Sequence, residues 1–150
     1  MQINTFEFIK DIFEVRMPFN KALNLKVIDS GKPVPYIRFD MQEHHVGNYI
    51  QNILHGGVIS STLDVMGGMV SLVGIIEKMK GAPEKEMFAR MEKMGTIDLR
   101  IDYLRPGRGK YFIASGEAMR AGNKVTVTRM ELKNDEDLLI AVGTGTYLVG

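Results

Sequence analysis

The stretch "NYIQNILHGGVISSTLDVMGGMVSLVG", residues 48–74, decides how the chain is read. It is apolar enough for a buried helix, yet it opens on His55, Gly56 and Gly57 and places a lone carboxylate, Asp64, about two turns in. A carboxylate on a core helix is costly unless it is paired or used. With residues set at about 100° each, Val58, Val65, Met66, Met69, Val70, Val73 and Ile76 cover one broad apolar arc suited to the inside of a sheet. Gly56, Ser60, Asp64, Gly67, Gly68 and Ser71 fall on the opposite, narrower arc. Small residues let a backbone, a second helix or a flat ligand come close, because glycine lacks the Cβ that would hold it off. The plainer alternative is a packing face, with Asp64 hydrogen-bonded to Ser60 or a neighbour.

The glycines favour the chemical reading. Amides in the first turn of a helix lack intrahelical partners and carry partial positive charge, so Gly56 and Gly57 can offer N–H groups to a developing oxyanion. Gly56 and Asp64 are eight residues apart, roughly 12 Å along one helix at 1.5 Å per residue. One helix cannot aim both at one carbonyl, whereas two packed antiparallel along their glycine stripes can. The expectation is a symmetric homodimer with two composite sites.

Around this helix the chain reads as a single domain over residues 1–150. The segment 1–17 is expected to be an accessory amphipathic helix, with Phe6, Ile9, Phe13 and Met17 at helical spacing. "LNLKVID" and "VPYIRFDMQ" form a strand pair, and "GAPEKEMFARMEKMG" is a charged connector with room for a helical turn. Four extended runs follow, "TIDLRIDYLRPG", "GKYFIASGEAMR", "NKVTVTRMELKN" and "DLLIAVGTGTYLVG", separated by turn-like pieces that suit an antiparallel meander. Asp98, Arg100 and Asp102 alternate with Ile97, Leu99 and Ile101, as the polar face of a strand would. Strands, one long helix, then strands imply an α+β fold, with a curved antiparallel sheet wrapped around a single central helix.

Composition bounds the function. With no cysteine there is no disulfide, thiolate metal site or cysteine nucleophile, and the expected location is cytoplasmic. A net charge of +1 gives no general attraction to nucleic acid. The N-terminus does not read as a signal peptide, and the apolar run 58–76 carries Asp64 and three glycines, so no membrane span is expected.

The segments "NILHGGVISSTLDVMGG", "GTIDLRIDYLRPG" and "AGNKVTVTRMEL" together resemble the hotdog-fold acyl-CoA thioesterases of the phenylacetate-degradation type, from about Asn24 onward. The resemblance implies a homodimer with sites at its interface, often a dimer of dimers, hydrolysing an acyl-CoA thioester without metal or organic cofactor. It implies that Asp64 is the catalytic carboxylate, as general base toward water or as nucleophile. Gly56 becomes the amide donor to the thioester carbonyl, Gly57 its neighbour, and His55 the histidine that orients the turn or the water. Thr96 aligns with a hydroxyl residue that holds water near the carboxylate. Asn48 resembles a water-placing asparagine but stands one residue too far from His55, which makes Asn52 its rival.

His44, His45 and His55 are the only histidines, and an adjacent pair rarely converges on one ion, so no metal site is expected. "RPGRGK" lacks the Gly-Lys-Ser/Thr ending of a phosphate loop. It is either a solvated turn or a place where Arg105, Arg108 and Lys110 attract the phosphates of coenzyme A, with Arg120 and Lys124 contributing from the next turn. A hotdog dehydratase or hydratase and an acyl-CoA-binding sensor without turnover are the alternatives. The sensor class has no need for a water-directing carboxylate.

Overall fold

The computed structural model describes residues 4–150, so the first three residues of the expected N-terminal helix lie outside it. Helix α1 (Thr5–Lys10) starts where the Asn4 side chain accepts the Glu7 amide at 3.1 Å. It runs into a π-helical turn, Asp11–Arg16, and then a second helix, α2 (Pro18–Ala22), with Pro18 at its first position. The wider π turn brings Asp11 and Arg16, five residues apart, together as an ion pair. Asn20 is buried and donates to the Phe13 carbonyl at 2.9 Å. Regular 3.6-residue periodicity does not reveal such a turn. Ile9 and Phe13 reach the core as their spacing predicts.

Strands β1 (Lys26–Ile28) and β2 (Tyr36–Asp40) form the expected pair, and a 3-10 turn (Glu43–His45) leads to the long helix α3 (Gly56–Lys78). Helix α4 (Glu84–Met91) fills the charged connector. Strands β3 (Gly95–Tyr103), β4 (Tyr111–Ala121), β5 (Val125–Asn134) and β6 (Leu139–Leu148) complete one six-stranded antiparallel sheet of order β1-β2-β4-β5-β6-β3. The curved sheet wraps α3, as expected. Along β5 every second residue is buried, the period of a sheet with one covered face.

The meander is corrected at one strand. β3 pairs with β6 at the far edge and not with β4. Pro106 and Gly107 do not close a hairpin, because the β3–β4 link crosses the start of α3, where the Leu54 amide donates to the Gly107 carbonyl at 3.0 Å.

The core face of α3 is Leu63, Met66, Met69 and Val70, each worth about 1.5–3 kcal/mol when fully buried. The narrow arc does not stay together. Gly67 and Ser71 are buried under the sheet, and Ser71 satisfies its hydroxyl on the Gly67 carbonyl at 2.9 Å. The partly open face of α3 is Gly57, Ser60, Ser61, Asp64, Val65 and Gly68. Among the described residues α3 alone is long and apolar enough to cross a membrane, and most of it is buried inside the protein.

The two edges of the sheet differ. At β1 the Glu14 carboxylate accepts the Val27 amide at 2.9 Å, so the N-terminal segment covers that edge. β3, nine residues long, leaves Ile97 and Tyr103 more than half exposed.

Candidate active site

α3 begins at Gly56 because His55 caps it. The His55 backbone is extended, and its Nδ1 accepts the Gly57 amide at 2.7 Å. That acceptor role puts the proton of the neutral ring on Nε2. The Gly57 amide is thereby engaged, whereas the Gly56 amide has no acceptor among the described residues. The Gly56 carbonyl accepts the Tyr103 hydroxyl at 3.0 Å. The turn is fixed from below by the His45 carbonyl, which accepts the His55 amide at 2.8 Å. A Cβ on Gly47 would stand 2.6 Å from the His55 Cα, so the loop can pass this close only with glycine there.

His45 is fully buried. Its Nε2 donates to the Leu23 carbonyl at 2.8 Å and its Nδ1 accepts the Gln42 amide at 3.3 Å. Burial pushes its pKa below the ordinary histidine value, and the adjacent His44 acts in the same direction, outweighing the bond to Leu23.

Asp64 is half-buried on the open face of α3. The Thr96 hydroxyl donates to its Oδ1 at 2.9 Å. The Tyr147 hydroxyl lies 3.1 Å from the same oxygen and 3.0 Å from the Asp64 carbonyl, between which its one proton is shared. Oδ2 has no partner among the described residues. One carboxylate oxygen is thus clamped by two hydroxyls, and the other is free for a water or an acyl carbon. Burial, then the charge of Asp64 and the bond to it, hold the Tyr147 phenol well above the usual tyrosine range, so it stays a donor.

The clamp depends on a β-bulge. The β3–β6 register pairs Thr96 with Tyr147 and Asp98 with Thr146, leaving Ile97 as the extra residue. The bulge puts Thr96 on the same face as Leu99 and Ile101, both packed on the core, and turns Ile97 out to 57% exposure. Strict alternation, as in the sequence reading, places Ile97 with Leu99 and sends Thr96 outward. Tyr147 was missed altogether. Its signal is the Gly67 position in α3, where a Cβ would lie 2.2 Å from the phenolic oxygen, and only the fold reveals that pairing.

Asp64, Thr96 and Tyr147 stand at one end of a cavity of about 330 Å³ whose other walls are apolar. A larger cavity of about 420 Å³ lies between the β1–β2 connection and strands β4 and β5. It shares no residue with the first and is lined by Lys32, Glu117, Arg129 and Glu131 among others. It has carboxylates too, but only Asp64, in the smaller cavity, is clamped by two hydroxyls, and that decides for the smaller one.

The remaining candidates fall in two places. Asn48 accepts the Ile50 and Gln51 amides at 3.1 and 3.2 Å, and Asn52 takes a left-handed φ of 54°, so both shape the loop before the glycine turn. Neither bonds Asp64 of its own chain. Arg108 donates to the Gln51 carbonyl and side chain, and Arg105 donates to the Leu139 carbonyl, so with Lys110 they sit at the Gly56 end. Arg120 and Lys124 flank the β4–β5 turn, whose Ala121 and Gly122 carbonyls accept Lys78 at the far end of α3. With α3 23 residues long, roughly 33 Å at 1.5 Å per residue, the five cations do not form one cluster within a chain. Among the described residues no three His, Asp or Glu side chains are grouped as a metal site.

Residues 51–141 match the model of the thioesterase superfamily. The chain belongs to that superfamily. This superfamily member has the hotdog fold, a curved sheet around one long helix. It is 46% identical over 144 residues to the medium/long-chain acyl-CoA thioesterase YigI of Escherichia coli, covering 96% of this chain and 93% of that protein. A thioesterase-superfamily protein from Shewanella oneidensis superposes with a TM-score of 0.92 at 39% identity, over 97% of this chain and 95% of that one. A candidate thioesterase from Syntrophus aciditrophicus superposes with a TM-score of 0.83 at 42% identity and the same coverage. The relative with a named substrate, YigI, is therefore a medium/long-chain acyl-CoA thioesterase, and the similarity is not specifically to the phenylacetate-degradation type.

Proposed function

We propose that the protein hydrolyses the thioester of a medium- or long-chain acyl-CoA, releasing the free acid and coenzyme A. The observation that carries this reading is the hydroxyl-clamped Asp64 at the mouth of an otherwise apolar cavity. The identity to YigI supports the acyl class, which the sequence alone leaves open.

In this mechanism Oδ2 of Asp64 takes a proton from water as the water oxygen attacks the thioester carbon. The oxyanion that develops is met by the Gly56 N–H at a helix start. Collapse breaks the C–S bond, and the proton held by Asp64 goes to the departing thiolate. Since Gly56 and Asp64 lie roughly 12 Å apart along α3, the Gly56 amide comes from a second copy of the chain. The open β3 edge supports such a partner, because an uncovered strand of this length is a ready template for pairing. In the dimer, Asn48 or Asn52, Arg105, Arg108 and Lys110 arrive with Gly56 and face the coenzyme A side, while Arg120 and Lys124 approach from the Asp64 chain. Dimers of this kind can associate in pairs.

Free-thiol release from a panel of acyl-CoAs tests the reading. Turnover that is strongest on aliphatic chains and lost in Asp64→Asn is the expected result. Equal turnover by the variant overturns it.

A further inference from the structure

The cavity does more than present Asp64. It follows α3 from Asp64 past Gly68, one turn on, to Leu72, two turns on, a run of roughly 12 Å at 1.5 Å per residue. The polar side chains in its wall, Asp64, Thr96 and Tyr147, are at one end. The opposite wall is built by Met91 and Met94 from the α4 region, and the flank by Ile12, Phe13 and Met17. Ile12 and Phe13 are presented by the π-helical turn, an irregularity frequent at functional sites.

In the proposed reading the aliphatic tail of the acyl group lies in this cavity, and we infer that the N-terminal segment carrying Ile12, Phe13 and Met17 sets the chain length accepted. This deepens the proposed thioesterase reading and rests on it. Four observations support a tail in this cavity. At roughly 30 Å³ per methylene-sized group, the share of a water molecule in the liquid, about 330 Å³ takes on the order of ten carbons. Past Asp64, Thr96 and Tyr147 no wall side chain offers a strong hydrogen-bonding group, so a hydroxyl or carboxylate on the tail would lose its hydration unpaired. Methionine walls, unbranched and polarizable, adapt to a flexible chain. Gly68 supplies the floor, since an added Cβ there meets nothing within 4 Å and would enter open space.

The test uses the full chain and measures kcat/KM on butyryl-, dodecanoyl-, hexadecanoyl- and phenylacetyl-CoA. Gly68→Leu, with Gly68→Ala as the milder variant, should lower the dodecanoyl-to-butyryl ratio at least tenfold and threefold respectively. Ile12→Ala, or Met17→Ala if the first does not fold, should raise the hexadecanoyl-to-dodecanoyl ratio at least threefold. Ratios unchanged within a factor of two at Gly68 overturn the tail site, and unchanged ratios at Ile12 and Met17 overturn the role of the N-terminal segment. A wild-type preference for phenylacetyl- over dodecanoyl-CoA also overturns it. If the wild type releases thiol from none of the four, the thioesterase reading has failed by itself. The tail site is then judged by calorimetric binding of dodecanoyl-CoA to Asp64→Asn, with and without Gly68→Leu. At least tenfold weaker binding with the plug supports the site, and equal affinity overturns it.

Discussion

Thr96 and Tyr147 stand opposite each other across the β3–β6 ladder, and their hydroxyls reach the same oxygen, Oδ1 of Asp64. Hydrogen bonds to a charged group are worth about 1.5–3 kcal/mol, and here two of them fix the direction of Oδ2. Thr96→Ala and Tyr147→Phe are therefore expected to lower kcat by about tenfold or more each, with KM changed less than about twofold. Asp64→Asn should cost about 10²–10⁴ in kcat, the usual contribution of a positioned base. Steady-state kinetics on dodecanoyl-CoA, with circular dichroism to confirm folding, decide it. A Tyr147→Phe variant that loses thermal stability but keeps kcat would reduce the tyrosine to a packing residue.

Tyr147 also predicts an alkaline limit to stability. Its folded pKa is raised, so above the ordinary tyrosine value of about 10 the unfolded chain loses this proton while the folded chain keeps it. The unfolded state then binds fewer protons, and stability falls as pH rises past that value. Urea midpoints between pH 8 and pH 11 should drop more steeply in the wild type than in Tyr147→Phe. Parallel curves would assign the alkaline loss to other groups.

The neighbouring glycines of α3 are expected to respond in opposite ways. A Cβ at Gly67 would meet the Tyr147 hydroxyl at 2.2 Å, while one at Gly68 meets nothing within 4 Å. Gly67→Ala should therefore destabilise by about 1–3 kcal/mol, as overpacking does, and should displace the phenol from Asp64. Gly68→Ala should raise stability by up to about 1 kcal/mol, the helix preference for alanine over glycine. Thermal melts of the two variants separate these outcomes.

The same pair shows how far the sequence could be read. Helical periodicity found α3, most of its core face and Asp64, because a 23-residue apolar helix imposes its period on many side chains at once, but it put Val65 on the core face, where the structure has Leu63. It placed Gly67 and Gly68 on one stripe, and only the sheet separates them by bringing Tyr147 over the first. Thr96 could be named by resemblance, but its direction depends on the bulge at Ile97, one extra residue that reverses the alternation. The crossover of β3 to the far edge was hidden for a similar reason. Pro106 and Gly107 suit a tight turn equally well, and the contact that decides against one is with Leu54, distant in sequence.

His45 sets an acid limit. Its folded pKa is lowered, so as pH falls below the ordinary histidine value of about 6.5 the unfolded chain binds a proton that the folded chain resists. Stability is present above that value and lost as pH falls below it. Because the His45 carbonyl holds the His55 amide, the glycine turn should loosen first. The protection factor of the His55 amide, the exchange rate corrected for the slower intrinsic exchange in acid, should fall between pH 7 and pH 5 before global unfolding. An unchanged protection factor at His55 would separate His45 from the turn.

The last prediction concerns the sharing of the site. Gly56 and Asp64 are roughly 12 Å apart along α3, too far to serve one carbonyl about 3 Å from each. Two inactive proteins test the sharing, Asp64→Ala and Gly56→Pro. Proline deletes the amide donor and is tolerated at the first helical position. His55 already has the extended backbone that a following proline requires, with φ −63° and ψ 135°. An ideal Cβ at position 56 would lie 3.4 Å from the Tyr103 ring, an ordinary contact, so the turn should survive. After subunit exchange, each mixed dimer carries one site with both defects and one with neither, and activity should return at up to about half of the wild-type value per mixed dimer. If native mass spectrometry shows mixed dimers and no activity returns, each chain holds its own complete site. The oxyanion would then have to be met by a donor other than the Gly56 amide.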